Sequence, residues 1–109
     1  IDTVNTMKDH RILSSQEEQA AETELYRAVL ALGSTEECRN FFNDLCTPAE
    51  LQAMKDRWFV VELLDEGKTY RDIHDLTGVS ITTIGRVARC LNNGADGYAT
   101  VIKRIGNKS

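Results

Sequence analysis

The stretch Thr69–Leu91, TYRDIHDLTGVSITTIGRVARCL, decides how the rest of the chain is read. It parses as two short helices meeting at Gly78, the first from Thr69 or Tyr70 to about Thr77 and the second opening at Ser80. Thr69 is a favourable N-cap, with Asp72 three residues on as in a loose capping box. Ile73 and Leu76 give the first helix an apolar edge. Gly78 stands where the chain must leave that helix, a position that favours positive φ and therefore glycine. Val79 then plugs the gap, Ser80 caps the second helix, and Ile84, Val87 and Leu91 share one face of it. That order of parts is a helix-turn-helix, whose second helix enters a DNA major groove. Ser80, Ile81, Thr82, Gly85, Arg86 and Arg89 are left to face outward. A small, hydroxyl-bearing and arginine-bearing face suits approach to base edges and phosphates. Helix pairs of this kind also serve purely structural ends. A second reading therefore stands beside the first: a dimeric protein-interaction or structural module that does not bind DNA.

The 109 residues carry a net charge of −4, an unpromising total for a nucleic-acid binder. The distribution is uneven. Residues 1–66 hold 6 Lys/Arg against 14 Asp/Glu, whereas residues 67–109 hold 7 against 3. The positive half contains the helix-turn-helix, and charge within about a Debye length, ~8 Å at physiological salt, matters more than the sum. The length fits one domain. No apolar run approaches a membrane span, and no secretory signal is visible, so a cytoplasmic protein is expected. The chain begins at Ile1, and Met7 is a candidate natural start, with residues 1–6 then foreign to it. Cys38, Cys46 and Cys90 form an odd set without Cys-x-x-Cys spacing, and His10 and His74 are isolated. No metal site is expected from them, and the thiols are read as reduced packing residues. No paired carboxylates, nucleophile–base set or phosphate loop stands out, so an enzyme is not expected.

Outward from the motif, residues 1–13 read as a flexible arm. Ser14 or Ser15 caps a helix running to about Leu32, with Leu25, Val29 and Leu32 as its stripe and Tyr26 and Leu30 widening it. Gly33 is expected to end that helix. Ser34 caps a short second one, with Cys38, Phe41, Phe42 and Leu45 on its buried side. Thr47-Pro48 opens a third helix, with proline at the first helical position and Glu50 closing a capping box. It continues to about Glu66 through Trp58-Phe59-Val60-Val61 and Leu63-Leu64. Four consecutive large apolar residues point around the whole circumference of a helix, and such a helix is buried all round. One short chain cannot cover it, and a second copy is the economical cover. Asn92-Asn93-Gly94 stops the recognition helix, a last helix beginning near Ala95-Asp96 carries Tyr98, Val101, Ile102 and Ile105, and residues 106–109 form a tail.

These residues resemble the Trp repressor superfamily over about residues 20–105. The resemblance rests on Thr47-Pro48-x-Glu50, Arg57, Glu62-Leu63-Leu64, Gly67, and Arg71-x-Ile73 followed by Gly78-x-x-Ile81-x-Thr83-Ile84-x-Arg86. It is closest to the uncharacterised Trp-repressor-like branch of the YerC/YecD type, through Cys46-Thr47-x-x-Glu50-Leu51, Glu66-Gly67-Lys68-Thr69-Tyr70, Arg86-Val87-x-Arg89-Cys90-Leu91-Asn92 and Gly97-Tyr98. The resemblance implies an all-α, six-helix chain over residues 14–105 in an intertwined homodimer, acting as a DNA-binding transcriptional regulator, a repressor. It implies that Arg71 reaches a base edge or the backbone, and that Ile81 and Thr82 lie at base edges. Tyr70, Gly85 and Arg86 would run along phosphates. With Ser80, Arg89 and His74 these make the DNA-facing set. The family's corepressor lies between two arginines, matched here by Arg57 and Arg86. Val87 stands where that repressor has glycine beside the indole, and Cys90 replaces a serine. These departures argue against tryptophan and leave a small carboxylate or another amino acid as a possible effector. The alternative is that Arg57 and Arg86 serve packing, salt bridges or phosphate contact, and that Val87 fills the pocket with no effector at all.

Overall fold

The computed structural model describes residues 12–106, which form six helices and no strand. They are α1 (Ser15–Leu30), α2 (Thr35–Leu45), α3 (Pro48–Asp65), α4 (Tyr70–Thr77), α5 (Ile81–Asn93) and α6 (Gly97–Gly106). The flexible arm expected over residues 1–13 falls outside the described residues as far as residue 11, and the tail expected at 106–109 does so beyond residue 106. No helix among the described residues is long and apolar enough to cross a membrane. The chain divides by its internal contacts into two units, Ile1–Asp44 and Leu45–Ser109.

Local chemistry sets where the helices start. The Ser14 hydroxyl accepts from the Glu17 amide at 3.1 Å while the Glu17 carboxylate accepts from the Ser14 amide at 2.8 Å, closing a capping box on α1. Thr47 and Glu50 repeat the arrangement on α3 at 3.1 and 2.8 Å, with Pro48 in the first turn. A cap of this kind satisfies amides that the helix cannot, and its loss costs about 1 kcal/mol. The expectation for Gly33 is corrected. α1 ends at Leu30, and its cap Ala31 keeps right-handed φ. The Gly33 amide donates to Glu37 Oε1 at 2.7 Å, beside Ser34 Oγ accepting from the Glu37 amide. This glycine serves the start of α2 rather than the end of α1.

α3 ends in a Schellman motif. Gly67 adopts φ 88°, its amide reaches the Leu64 carbonyl at 3.0 Å, and the Lys68 amide reaches that of Leu63 at 3.1 Å. The left-handed residue turns the chain so that α4 begins three residues later, at Tyr70. α5 ends differently. Gly94 has ordinary negative φ, but a side chain there would run into the Cys90 carbonyl. The glycine is needed for close approach, since its own amide caps that same carbonyl at 2.9 Å.

The core belongs to the second unit. Val60, Val61 and Leu63 of α3 pack with Ile73 of α4 and with Ile84 and Val87 of α5, all buried. Trp58, Leu64, Val79, Leu91, Tyr98 and Ile102 flank this cluster, half-buried. The Trp58 and Tyr98 rings tie α3 to α6 with centroids 6.2 Å apart. Each buried aliphatic side chain contributes roughly 1.5–3 kcal/mol.

The all-round burial expected for α3 is only half met within one chain. Val60 and Val61 are inaccessible, Trp58 and Leu64 are half-buried, and Phe59 is 46% exposed. α1, α2 and α6 contain no buried residue at all. Of the stripe expected on α1, Val29 and Leu32 are half-buried while Leu25, Tyr26 and Leu30 are exposed. On α2, Phe41 and Phe42 stack edge to face at 5.3 Å and are half-buried with Cys38, but Leu45 is exposed. Leu76, expected on the apolar edge of α4, is 63% exposed, because Ile73 alone turns into the core from that short helix. Cys38 and Cys46 pack partly, as read, with Cys46 Sγ 3.9 Å from Met54 Sδ, whereas Cys90 is exposed.

The Gly94 geometry yields a stability prediction. Gly94→Ala must push its methyl group against backbone, which cannot swing aside. It should lose about 1–3 kcal/mol in thermal unfolding followed by circular dichroism. An unchanged midpoint would show that the α5 terminus relaxes freely.

Candidate nucleic-acid interface

The turn between α4 and α5 is closed by its own polar groups. The Thr69 hydroxyl caps α4 by accepting from the Asp72 amide at 3.1 Å. At the other end Gly78 adopts φ 78°, and its amide donates to the His74 carbonyl at 2.8 Å. Thr77 Oγ1 donates back to the Ile73 carbonyl at 2.7 Å and accepts from the Val79 amide at 3.0 Å. The Val79 carbonyl accepts from His74 Nδ1 at 2.8 Å. A carbonyl cannot donate, so Nδ1 must carry the proton, and Nε2 is left outside this bond. Ser80 Oγ accepts from the Thr83 amide at 3.1 Å and pairs with Thr83 Oγ1 at 3.0 Å. The amides and carbonyl through which the chain reverses are thus fixed within the motif, and half-buried Val79 packs against the core.

This anchoring orients α5. Ile84, Val87 and Ala88 are buried, which turns Ile81, Thr82, Gly85, Arg86 and Arg89 the other way. Ile81 is 47% exposed, and Thr82, Arg86 and Arg89 are exposed. Gly85 is half-buried beneath the ring of Tyr70, itself 43% exposed. Arg71 extends into solvent from α4, with Asp75 Oδ2 3.9 Å from its Nε. A pair that long and that exposed contributes little.

Electrostatics separates the two units. In the first, Arg27 sits 2.9 Å from Glu24 and Arg39 sits 2.7 Å from Glu36, each neutralised one turn away. α5 contains no acidic residue, and Arg86 and Arg89 have no hydrogen-bond or ion-pair partner among the described residues. The amino end of α5 adds its partial positive charge in the same direction, with no carboxylate in its first turn.

The structure therefore brings together Tyr70, Arg71, Ile81, Thr82, Gly85, Arg86 and Arg89 on the exposed side of the two helices. Ser80 is exposed but its hydroxyl is held by the cap, and the Nδ1 edge of His74 is spent on the turn. The roles of Thr77 and Thr83 are not apparent from periodicity. Their signal is chemical: a hydroxyl in the last turn before glycine, and one three residues after the capping serine.

The residues matched to an effector site are not gathered into one cavity. Val87 is 2% exposed and belongs to the core. Arg57 and Arg86 are exposed, and Cys90 lies on the edge of an apolar cleft with Trp58, Ala95, Gly97, Tyr98 and Val101. That cleft encloses about 540 Å³ and includes neither arginine. No group of three metal-ligating side chains occurs among the described residues.

Comparison with known proteins places these features in context. A family model described as Trp repressor protein matches residues 20–106. The uncharacterized protein YerC of Bacillus subtilis strain 168 is 45% identical over 82 residues, which are 75% of this chain and 79% of that protein. Among solved structures, a TrpR-like protein from Eubacterium eligens ATCC 27750 is similar with a TM-score of 0.75 at 44% identity, over 81% of this chain and 90% of that one. A candidate Trp repressor from Staphylococcus aureus is similar with a TM-score of 0.76 at 38% identity, over 86% of this chain and 96% of that one.

The histidine brace can be tested by itself. His74→Ala should cost about 0.5–1.5 kcal/mol, the net value of one hydrogen bond, in denaturant unfolding. His74→Asn, whose amide can donate from nearly the same place, should recover part of that. Equal loss in both variants would assign the effect to ring packing instead.

Proposed function

The chain belongs to the Trp repressor family, whose model spans residues 20–106, and from that membership we propose that it is a homodimeric, sequence-reading DNA-binding regulator that acts as a repressor. The observation that carries the reading is the exposed face of α5, where Arg86 and Arg89 stand without acidic partners beside Thr82 and Gly85 on a helix held by a closed turn. Phosphate contacts from Arg86, Arg89 and Tyr70 supply most of the affinity, with a strong dependence on salt. Arg71, Ile81 and Thr82 discriminate between bases. His74 borders this set through its outer ring edge, and Ser80 supports it as the cap.

The dimer is supported by the faces that one chain leaves open. Leu25, Tyr26, Leu30, Phe59, Val101 and Ile105 are exposed large hydrophobic residues on α1, α3 and α6, of which α1 and α6 bury nothing. A monomer rarely presents so much apolar surface, and a second copy supplies a matching cover. Two recognition helices related by two-fold symmetry then meet major grooves about one helical turn, ~34 Å, apart. A small carboxylate or amino-acid effector would draw on the charges of Arg57 and Arg86. Tryptophan is disfavoured, because Val87 fills core space where the related repressor has only a hydrogen.

Titration by fluorescence anisotropy against a random duplex pool tests DNA binding. Arg89→Ala should weaken all sequences alike and reduce the salt slope by about one unit, whereas Arg71→Ala should cost about 1–3 kcal/mol at one base position. A wild-type protein that ignores every duplex at low salt would favour the interaction-module reading instead.

The oligomer is tested separately. Light scattering should give a dimer at micromolar protein, and the unfolding midpoint should rise with protein concentration. A monomer with a concentration-independent midpoint would overturn the dimer.

A further inference from the structure

Glycine follows Asn or Asp at two places in the sequence, Asn93-Gly94 and Asp96-Gly97. Both fall where α5 hands over to α6. Such pairs are chemically weak points. With no side chain to hinder it, the glycine nitrogen can attack the preceding side-chain carbonyl and close a five-membered succinimide. An amide carbonyl is attacked more readily than an ionised carboxylate, so the bare sequence marks Asn93 as the weaker of the two. The fold reverses that order. Asn93 is the last residue of α5, and the Gly94 amide is held on the Cys90 carbonyl at 2.9 Å. Ring closure must bring the following nitrogen over the side-chain carbonyl. Asn93 would have to leave its helical angles and that hydrogen bond would have to break.

Asp96 is under neither restraint. It lies between the helices, exposed, and its carboxylate has no hydrogen-bond or ion-pair partner among the described residues. Gly97 opens α6, so its amide is one of those a helix cannot satisfy. No other acceptor takes that amide among the described residues. Asp96 also has φ 70°, which no other non-glycine residue shares among the described residues. L-residues rarely hold such an angle, and an added backbone atom would release it. We propose that Asp96-Gly97 is a site of spontaneous aspartate isomerisation. The Gly97 nitrogen bonds to Asp96 Cγ, and the carboxyl hydroxyl leaves with the amide proton as water. Water then opens the ring at either carbonyl. Opening at the former side-chain carbonyl restores aspartate. Opening at the main-chain carbonyl leaves isoaspartate, with the main chain running through Cβ and Cγ. Mass is unchanged and no oxidant takes part. The product displaces the carbonyl that starts α6, since Asp96 O accepts from the Thr100 amide at 3.0 Å. With one methylene inserted there, α6 loses its first hydrogen bond and loosens from the core, where the Tyr98 ring faces Trp58 at 6.2 Å. None of this depends on DNA binding.

The test is to age the full chain in warm neutral buffer, folded in one arm and unfolded in guanidinium chloride in the other. Peptide mapping with electron-transfer fragmentation locates isoaspartate, and deamidation shows as a gain in mass at Asn93. In the folded arm isoaspartate should build up at Asp96 ahead of any change at Asn93. In the unfolded arm the order should reverse. Folded chain that deamidates first at Asn93, or forms no isoaspartate at Asp96, would overturn the proposal. Gly97→Ala is the matched variant. Its φ is not positive and an added Cβ meets nothing within 4 Å, so the fold has room for the methyl group. It should melt as wild type does and isomerise several times more slowly, because the methyl group hinders the attacking nitrogen. Isomerisation at the wild-type rate would overturn that route. Trp58, the one tryptophan, reports on α6. Its fluorescence should become more open to acrylamide quenching as isoaspartate accumulates in wild type, and unchanged quenching would overturn the loosening of α6.

Discussion

The packing of one α3 face against α4 and α5 is the constraint on which the rest of the second unit depends. Val60, Val61 and Leu63 supply a branched aliphatic surface, and Ile73, Ile84 and Val87 close over it. Branched side chains have few rotamers, so the surface they make is stiff. Interiors at crystal-like density shift in discrete steps rather than yielding smoothly. The direction of α5, and hence of every outward residue on it, follows from where those six side chains lock together. The placement of Val87 within this cluster also explains why a position that resemblance assigns to an effector site serves packing here.

Polar chemistry completes what packing begins. The motif reverses direction within a few residues, and a turn so short leaves amides and carbonyls that no helix can satisfy. Thr69, Thr77, His74 and Ser80 take them up one by one, and Gly78 provides the left-handed residue at the bend. Each bond is worth about 1 kcal/mol net, and together they oppose fraying at the point where α5 starts. The side chains inside the turn thereby free those outside it for other partners.

Charge is apportioned along the same boundary. Among the described residues of the first unit, Arg27 and Arg39 are bound to glutamates one turn away, and the unit's excess of carboxylates keeps it acidic. α5 carries arginines without such neighbours, as α6 carries Lys103 and Arg104 near its end. An acidic protein can thus present a basic face, since screening confines each field to roughly a Debye length, ~8 Å.

Helix starts and the central turn were legible in the sequence, because they depend on atoms within about four residues of one another. Ser14 with Glu17, Thr47 with Glu50, Thr69 with Asp72, Ser80 with Thr83, and Gly78 between two helices all function where their spacing places them. The outward set on α5 was legible for a related reason, as the helical period fixes it once Ile84 and Val87 are known to point inward. Burial was not legible in this way. Phe59, Leu76, Leu45 and Cys90 read as interior residues, yet each is exposed in one chain, because burial depends on what another element brings opposite. The bond from His74 to the Val79 carbonyl, the service of Gly33 to α2, and the room beside Gly85 for a methyl group it lacks are likewise facts of position. Spacing along the chain determines a helix and its caps, and only the folded chain decides which atoms meet across the gaps between helices.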